Sequence, residues 1–159
     1  MDAGPLLKKI AAAMAECRLE AVLIGNAAAA LQGAPVTTLD FDFLLRVSSS
    51  SLRKLKRLAD RLGGTILRPY YPASSLYRLV NDDIGLQLDF MTTIHGVRSF
   101  AALRARATRL DLDGASLLVA SLDDIIRSKR AAGRPRDVAV LPVLEATRAE
   151  AQGDKKPRR

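Results

Sequence analysis

The chain has 159 residues, of which 48% are hydrophobic, and carries a formal net charge of +8 at pH 7. This length and apolar content suit one folded domain and exclude a disordered chain or a second core of comparable size. A single cysteine and a single histidine exclude an internal disulfide, a cysteine-based zinc site and a multi-histidine metal centre, so a hard cation such as Mg²⁺ or Mn²⁺ would have to be held by carboxylates.

No apolar run in the sequence is as long as a membrane span, and the first residues lack the apolar stretch of a signal peptide. We therefore expect no membrane partner and a cytoplasmic location. The positive charge suits an anionic partner such as nucleotide phosphates, RNA or DNA, and it suits equally well a solvated basic surface with no binding role. Charge alone does not choose between these two interpretations.

The first half of the chain predicts helices that alternate with short buried strands. Leu6, Ile10 and Met14 recur at helical spacing, whereas Glu20–Ile24 is a short apolar run that ends in a Gly-Asn turn. Asn26 is expected to cap the helix that follows. The predicted elements are a helix over 5–17, a strand over 20–24, a helix over 27–31, a strand over 39–45 and a helix over 51–62.

The second half predicts further strands and then two helices. Asp113-Gly114 is typical of a hairpin turn, and Ser121 with Asp124 three residues later matches a helix-capping pattern. The predicted elements are strands over 65–67, 76–80 and 86–91, a helix over 98–107, strands over 109–112 and 116–120, and helices over 121–132 and 136–149. This order predicts an α/β (α+β) fold with a mixed twisted sheet and flanking helices, in one domain over 1–150, followed by a basic disordered tail over 151–159.

Asp40 and Asp42 are the first candidate site residues. They stand two positions apart in an apolar strand, so their carboxylates share one face while Phe41 and Phe43 share the other. Two adjacent carboxylates beside apolar residues repel each other unless a cation neutralises them. The pattern therefore indicates a divalent-cation site, and its alternative is the exposed face of an edge strand.

Two further features could complete such a site. Gly25 and Asn26 lie where a buried strand ends and a helix begins, and free backbone N–H groups at that place can receive phosphate. Asp89 alternates with Leu88 and Phe90 in a later strand, which makes it a candidate third ligand or general base. The alternatives are an ordinary turn for the first feature and the polar outer face of an amphipathic strand for the second.

Taken together, these motifs resemble the signature of the polymerase-beta-like nucleotidyltransferase superfamily. In that signature a hydrophobic residue and a glycine-containing turn precede an acid-hydrophobic-acid strand, and a third acid follows on a later strand. Leu23–Gly33 and Thr38–Phe43 carry the first two parts, and Asp89 matches the third. The segment 121–137 is similar to small bacterial members, which include proteins of abortive-infection and toxin–antitoxin systems.

The resemblance implies a minimal nucleotidyltransferase fold with Asp40, Asp42 and Asp89 as catalytic residues and ligands of Mg²⁺ or Mn²⁺. It implies transfer of a nucleoside monophosphate from a nucleoside triphosphate (NTP) to an acceptor hydroxyl, with release of pyrophosphate. The acceptor would be an RNA or tRNA end, a protein or a small molecule. The backbone at Gly25 and Asn26 would hold phosphate oxygens, and a cognate toxin or antitoxin would be a partner protein.

Basic residues near the C-terminal helices extend this predicted site. Lys129, Arg130 and Arg134 are candidates to neutralise the nucleotide phosphates, although cations at a helix end also serve simply to complement the helix dipole. Two positions depart from the superfamily pattern: Asn26 replaces a second small residue, and Val36 stands where many small members carry arginine. These departures support an alternative function, a non-catalytic binding protein for RNA or a protein partner on the same fold.

Overall fold

The secondary structure follows the predicted order closely. The computed structural model describes residues 4–38, 40–68 and 75–154. Its helices and strands are α1 (Gly4–Glu16), β1 (Ala21–Ile24), α2 (Gly25–Leu31), β2 (Phe41–Leu45), α3 (Ser51–Leu62), β3 (Thr65–Leu67), β4 (Tyr77–Asn81), β5 (Leu86–Met91), α4 (Phe100–Arg106), β6 (Thr108–Asp111), β7 (Ser116–Val119), α5 (Leu122–Ala132) and α6 (Pro135–Asp154).

Within these ranges the strands form one seven-stranded sheet in the order β3-β4-β5-β2-β1-β7-β6. The sheet is mixed: β2 runs antiparallel to β1 and parallel to β5, while β1 and β7 are parallel. Two antiparallel pairs, β4 with β5 and β6 with β7, flank this centre as hairpins. The predicted fold class, a mixed sheet with flanking helices, is confirmed.

The core is aliphatic, with one aromatic pair at its centre. Phe43 on β2 and Phe90 on β5 are fully buried and stack with ring centroids 5.3 Å apart. Phe43 and Phe90 are paired across the two strands, and each directly follows one of the aspartates in the chain. Because successive side chains of a strand point to opposite faces, the two rings lie on the face opposite to that of Asp42 and Asp89. The aromatic pair therefore fixes the register that brings the two aspartates side by side.

Several local interactions explain where elements begin and end. The Ser121 hydroxyl accepts a hydrogen bond from the backbone N–H of Asp124, which confirms the predicted cap of α5. Glycine in the left-handed conformation ends α3 at Gly63 and α5 at Gly133. None of the helices in the described ranges combines the length and the apolar composition that crossing a bilayer requires.

Most boundaries differ from the prediction by one or two residues, and two of the differences concern the site. Strand β2 begins at Phe41, so Asp40 precedes the strand, and Leu39 lies outside the described residues. Asn26 lies inside the first turn of α2 and does not cap it, because the helix already begins at Gly25. Helix α6 runs to Asp154, so residues 151–154 of the predicted tail are helical, and residues 155–159 lie outside the described ranges.

Candidate functional site

A row of charged side chains crosses the middle of the sheet. Arg78 on β4 is paired with Asp89 on β5, and Asp89 is in turn paired with Asp42 on β2. Residues directly opposite each other on neighbouring strands point to the same face, with their Cβ atoms roughly 5 Å apart. The sheet therefore brings together two of the three predicted acids and adds an arginine that the sequence analysis did not single out.

Gly25 brings the backbone of the β1–α2 turn against this row. It has a φ of +67°, and a Cβ atom built on it would lie 3.2 Å from Oδ2 of Asp42. A side chain at this position would be strained by its backbone conformation and would also crowd the carboxylate. The glycine thus allows the turn and the Asp42 carboxylate to approach closely, which is the proximity that the sequence motif predicted.

The Asp42 carboxyl group is in an unfavourable electrostatic position. Burial, followed by the charges of Asp89 and Asp40, raises its pKa from 3.8 to about 6, and the charges of Lys129 and Arg136 only partly oppose this rise. Neither a hydrogen bond nor an ion pair to this carboxylate is present among the described residues. Such a group gains more than an ordinary surface aspartate from a bound cation.

Asp89, in contrast, already has a cationic partner. Its side chain is 9% exposed and accepts hydrogen bonds from both ends of the Arg78 guanidinium, Nε to Oδ1 at 2.8 Å and an Nη to Oδ2 at 3.1 Å. The amide of Gln87 lies 3.5 Å from Oδ2. A carboxylate held at two points by a guanidinium has little rotational freedom, so its orientation in the row is fixed.

These residues open into a cleft of about 610 Å³. The cleft is lined by Gly25, Asn26, Asp40, Asp42, Arg78 and Asp89, and also by residues that include His95, Lys129, Arg134, Arg136 and Asp137. Asp40 is exposed, since it precedes β2. The three predicted acids and the predicted phosphate turn therefore share one cleft.

Basic side chains from α5, from α6 and from the loop between them form a basic wall of the cleft. Asp137 is buried and is paired with Arg134 and with Lys129, whose Nζ lies 3.5 Å from Oδ1 of Asp137. The Arg134–Asp137 pair therefore anchors this segment. Lys129, Arg134 and Arg136 all line the cleft.

Arg130 is the predicted phosphate ligand that the structure places elsewhere. Its guanidinium pairs with Glu145 of α6 and lines a separate depression together with Asp123, Arg127 and Arg148. Although the two residues are neighbours on α5, Lys129 lines the cleft and Arg130 lines the separate depression. Arg130 is therefore removed from the candidate site.

Asn26 has an unusual environment. It lines the cleft beside Gly25, and its Oδ1 atom is buried without a hydrogen-bond donor in the part of the chain that the structure describes. A buried acceptor that lacks a donor is costly, and it is satisfied by a water molecule or by a ligand group that carries a hydrogen. Phosphate oxygens of an ionised nucleotide are acceptors and do not meet that need.

The chemistry of the available ligand atoms suits a divalent cation, although these atoms are not arranged as a formed metal site. Asp40 and Asp42 offer hard oxygen ligands, and the repulsion at Asp42 favours a cation. Over residues 4–38, 40–68 and 75–154, however, no group of three or more His, Cys, Asp or Glu side chains is arranged to hold a metal ion. The predicted convergence of three carboxylates is thus realised as one adjacent pair, Asp42 with Asp89, and a nearby third acid.

Comparison with known proteins identifies solved structures of similar fold. No protein-family model and no curated protein matches the sequence. Among solved structures, the antibiotic-resistance factor ANT(2'')-Ia matches with a TM-score of 0.61 at 16% identity over 95% of this chain and 91% of that chain. A candidate nucleotidyltransferase from Thermotoga maritima matches with a TM-score of 0.61 at 19% identity over 87% of this chain and 89% of that one.

A third match is ANT(2'')-Ia in complex with adenylyl-2''-tobramycin, with a TM-score of 0.60 at 16% identity over 96% of this chain and 98% of that chain. At these identities the likeness concerns the fold, and both chains are covered almost throughout. The chain therefore shares the fold of these solved nucleotidyltransferase structures.

Proposed function

We propose that the chain is a metal-dependent nucleotidyltransferase, which moves a nucleoside monophosphate from an NTP to an acceptor hydroxyl. The observation that carries the proposal is the position of Asp42: it lies beside Asp89 and against Gly25, in a cleft that Lys129 also lines. A cluster of acids and a basic wall in one cleft suit a ligand that is a metal-bound polyphosphate. The similarity in fold to nucleotidyltransferases supports the same conclusion.

Asp40, Asp42 and Asp89 would hold Mg²⁺ or Mn²⁺, which when bound supplies positive charge to the attacking and leaving oxygens. In the reaction an acceptor oxygen attacks the α-phosphorus, the bond to the bridging oxygen breaks and pyrophosphate leaves. Asp89 would receive the proton of the attacking hydroxyl. Lys129 and Arg134 would face the phosphates, and the Gly25 turn lets the nucleotide approach the backbone closely.

The acceptor is either a small hydroxylated molecule or RNA. The fold match to ANT(2'')-Ia in complex with adenylyl-2''-tobramycin makes aminoglycosides one class to test. The net charge of +8 makes RNA another. The cleft of about 610 Å³ has room for a nucleotide together with part of either acceptor.

A transfer assay with a matched variant tests the proposal. Each α-labelled NTP is incubated with the full chain and Mg²⁺ or Mn²⁺, alone, with total RNA and with a panel of aminoglycosides. We expect label to enter one acceptor class and Asp42→Asn to abolish this transfer. Asp60→Asn, which removes the same charge from the exposed side of α3, should leave the transfer unchanged. Full transfer by Asp42→Asn would refute the assignment.

The second candidate function is a non-catalytic binding protein on the same fold, with RNA or a toxin-system protein as its partner. The observation that favours it is Asp89, whose carboxylate is already paired with Arg78. Under this hypothesis no NTP and acceptor combination gives transfer, and the chain binds RNA or a partner protein equally well without a divalent cation. Binding measured with and without EDTA separates the two functions.

A further inference from the structure

The Arg78–Asp89 pair bears directly on how the proposed site would take up a cation. The guanidinium uses one lone pair on each Asp89 oxygen, and a carboxylate offers roughly two per oxygen. A divalent cation at Asp89 would therefore have to share the carboxylate with a positive group only a few ångströms away. Like charges at that separation repel strongly in a partly buried site.

The two neighbouring aspartates are consequently not equivalent. Asp89 is neutralised by a resident arginine that is itself 30% exposed and lines the cleft. Asp42 has no such partner among the described residues and lies against the Gly25 turn. A cation that enters the cleft therefore finds Asp42 without a cationic partner among the described residues and Asp89 already paired with Arg78.

We propose that Arg78 is a positioning residue that acts through Asp89: it fixes this carboxylate beside Asp42 and competes with the divalent cation for it. This inference rests on the proposed function, because it concerns the cation that function requires. The nucleotide-free protein then binds the cation more weakly than the acidic pair alone would. The bond to Arg78 also keeps Asp89 oriented toward the cleft while the site has no cation.

Direct titration of Mn²⁺ onto the full chain, followed by the paramagnetic resonance signal of free Mn²⁺, tests the competition without an activity assay. In the absence of nucleotide, Arg78→Gln should bind Mn²⁺ about tenfold more tightly than the wild type, since one repulsive charge has been removed. Arg78→Lys should show a smaller gain, because lysine keeps the charge but donates from a single atom.

Two further variants identify the origin of the gain. Arg109→Gln removes the same charge from an exposed position on β6 and should leave Mn²⁺ affinity unchanged. Adding Asp89→Asn to Arg78→Gln should abolish the gain, because the carboxylate for which arginine and cation compete is then absent. Thermal unfolding of each variant shows whether it is folded, and Arg78→Lys decides the question if Arg78→Gln does not fold.

Mn²⁺ affinity that is unchanged or weaker in both Arg78 variants would overturn the inference, and would mean that Arg78 assists the cation instead of competing with it. That result is distinct from a failure of the proposed function. If Mn²⁺ binds the wild type and Asp42→Asn abolishes this binding, the cation site stands whatever Arg78 does. If neither the wild type nor any variant binds Mn²⁺, with or without ATP, the proposed function and the inference fail together.

Discussion

Asp42 on β2 and Asp89 on β5 lie directly opposite each other across a parallel pair of strands, and both point into the same cleft. Asp89 is paired with Arg78, whereas Asp42 has no such partner among the residues that the structure describes. Because the sheet register and not a flexible loop sets their positions, the closeness of the two carboxylates is a property of the fold.

Asp42→Asn should make the protein more stable above about pH 6. The folded-state pKa of Asp42 is raised from 3.8 to about 6, so the buried charge destabilises the fold fully above pH 6 and not at all below 3.8. We expect a gain on the order of 1–3 kcal/mol in the free energy of unfolding at about pH 8, which vanishes near pH 4. Urea unfolding at the two pH values checks this, and a gain of equal size at both would contradict it.

Divalent-cation binding should strengthen as the pH rises through the same range. A proton and a cation compete for the Asp42 carboxylate, whose pKa of about 6 leaves it largely protonated at pH 5. Mn²⁺ affinity should therefore increase by about tenfold per pH unit at most below this pKa and level off above it. Titrations between about pH 5 and pH 8 measure the dependence. A flat profile would show that Asp42 does not ligate the cation.

Gly25→Ala should impair both folding and cation binding, whereas Gly85→Ala should impair folding alone. The two glycines have nearly the same φ, +67° and +64°. A Cβ at Gly25 would lie 3.2 Å from Oδ2 of Asp42, while one at Gly85 would meet no atom of the described residues within 4 Å. We expect each change to cost about 1 kcal/mol through backbone strain.

The comparison of these two glycine variants separates strain from contact. Only Gly25→Ala should also weaken Mn²⁺ binding, because only there does the new methyl group displace a carboxylate. Denaturant unfolding and Mn²⁺ titration of both variants give the two quantities. Equal cation affinities in the two variants would show that the approach of the turn to Asp42 has no role in binding.

Lys129→Met should weaken NTP binding, and Arg130→Met should leave it unchanged. Lys129 lines the cleft and acts electrostatically on Asp42, whereas its neighbour on α5 pairs with Glu145 outside it. Loss of one charge–phosphate contact should raise the dissociation constant by roughly tenfold. Calorimetric titration with ATP and Mg²⁺ compares the two variants at equal net charge. A larger effect at Arg130 would contradict the assignment of the basic wall.

Asn26→Ser should strengthen NTP binding, whereas Asn26→Asp should weaken it. The Oδ1 of Asn26 is buried without a donor among the described residues, whereas the smaller serine has a hydroxyl that can donate to phosphate. Aspartate adds a negative charge beside the phosphates and should weaken binding at least tenfold. Equal affinity of both variants would place the phosphates away from this turn.

Much of the fold and part of the site could be predicted from the sequence. Hydrophobic alternation located β5 at its observed bounds, and the serine–aspartate spacing located the start of α5. Asp42 and Asp89 were identified because charged residues are rare in apolar strands. Asp40 was predicted as a strand residue because the period-two pattern continued through it, yet the strand begins one residue later.

What the sequence did not reveal depends on pairing between strands. Arg78 becomes notable only once the β4–β5 register sets it opposite Asp89, and a shift of one residue would have turned it to the other face. Arg130 was chosen by its proximity to Lys129 in sequence, where the geometry of a helix sends neighbours in different directions. Strand register and helix phase are set by packing between elements, so single-segment patterns do not determine them.

The position of β1 has a consequence for how the chain must be made. This fully apolar strand is bordered by β2 on one side and, on the other, by β7, which is synthesised nearly a hundred residues later. A nascent or truncated chain that ends before Ser116 would therefore expose the backbone of a hydrophobic strand at a sheet edge, where another molecule can add to it. Premature termination in this protein should yield aggregates instead of partially active fragments.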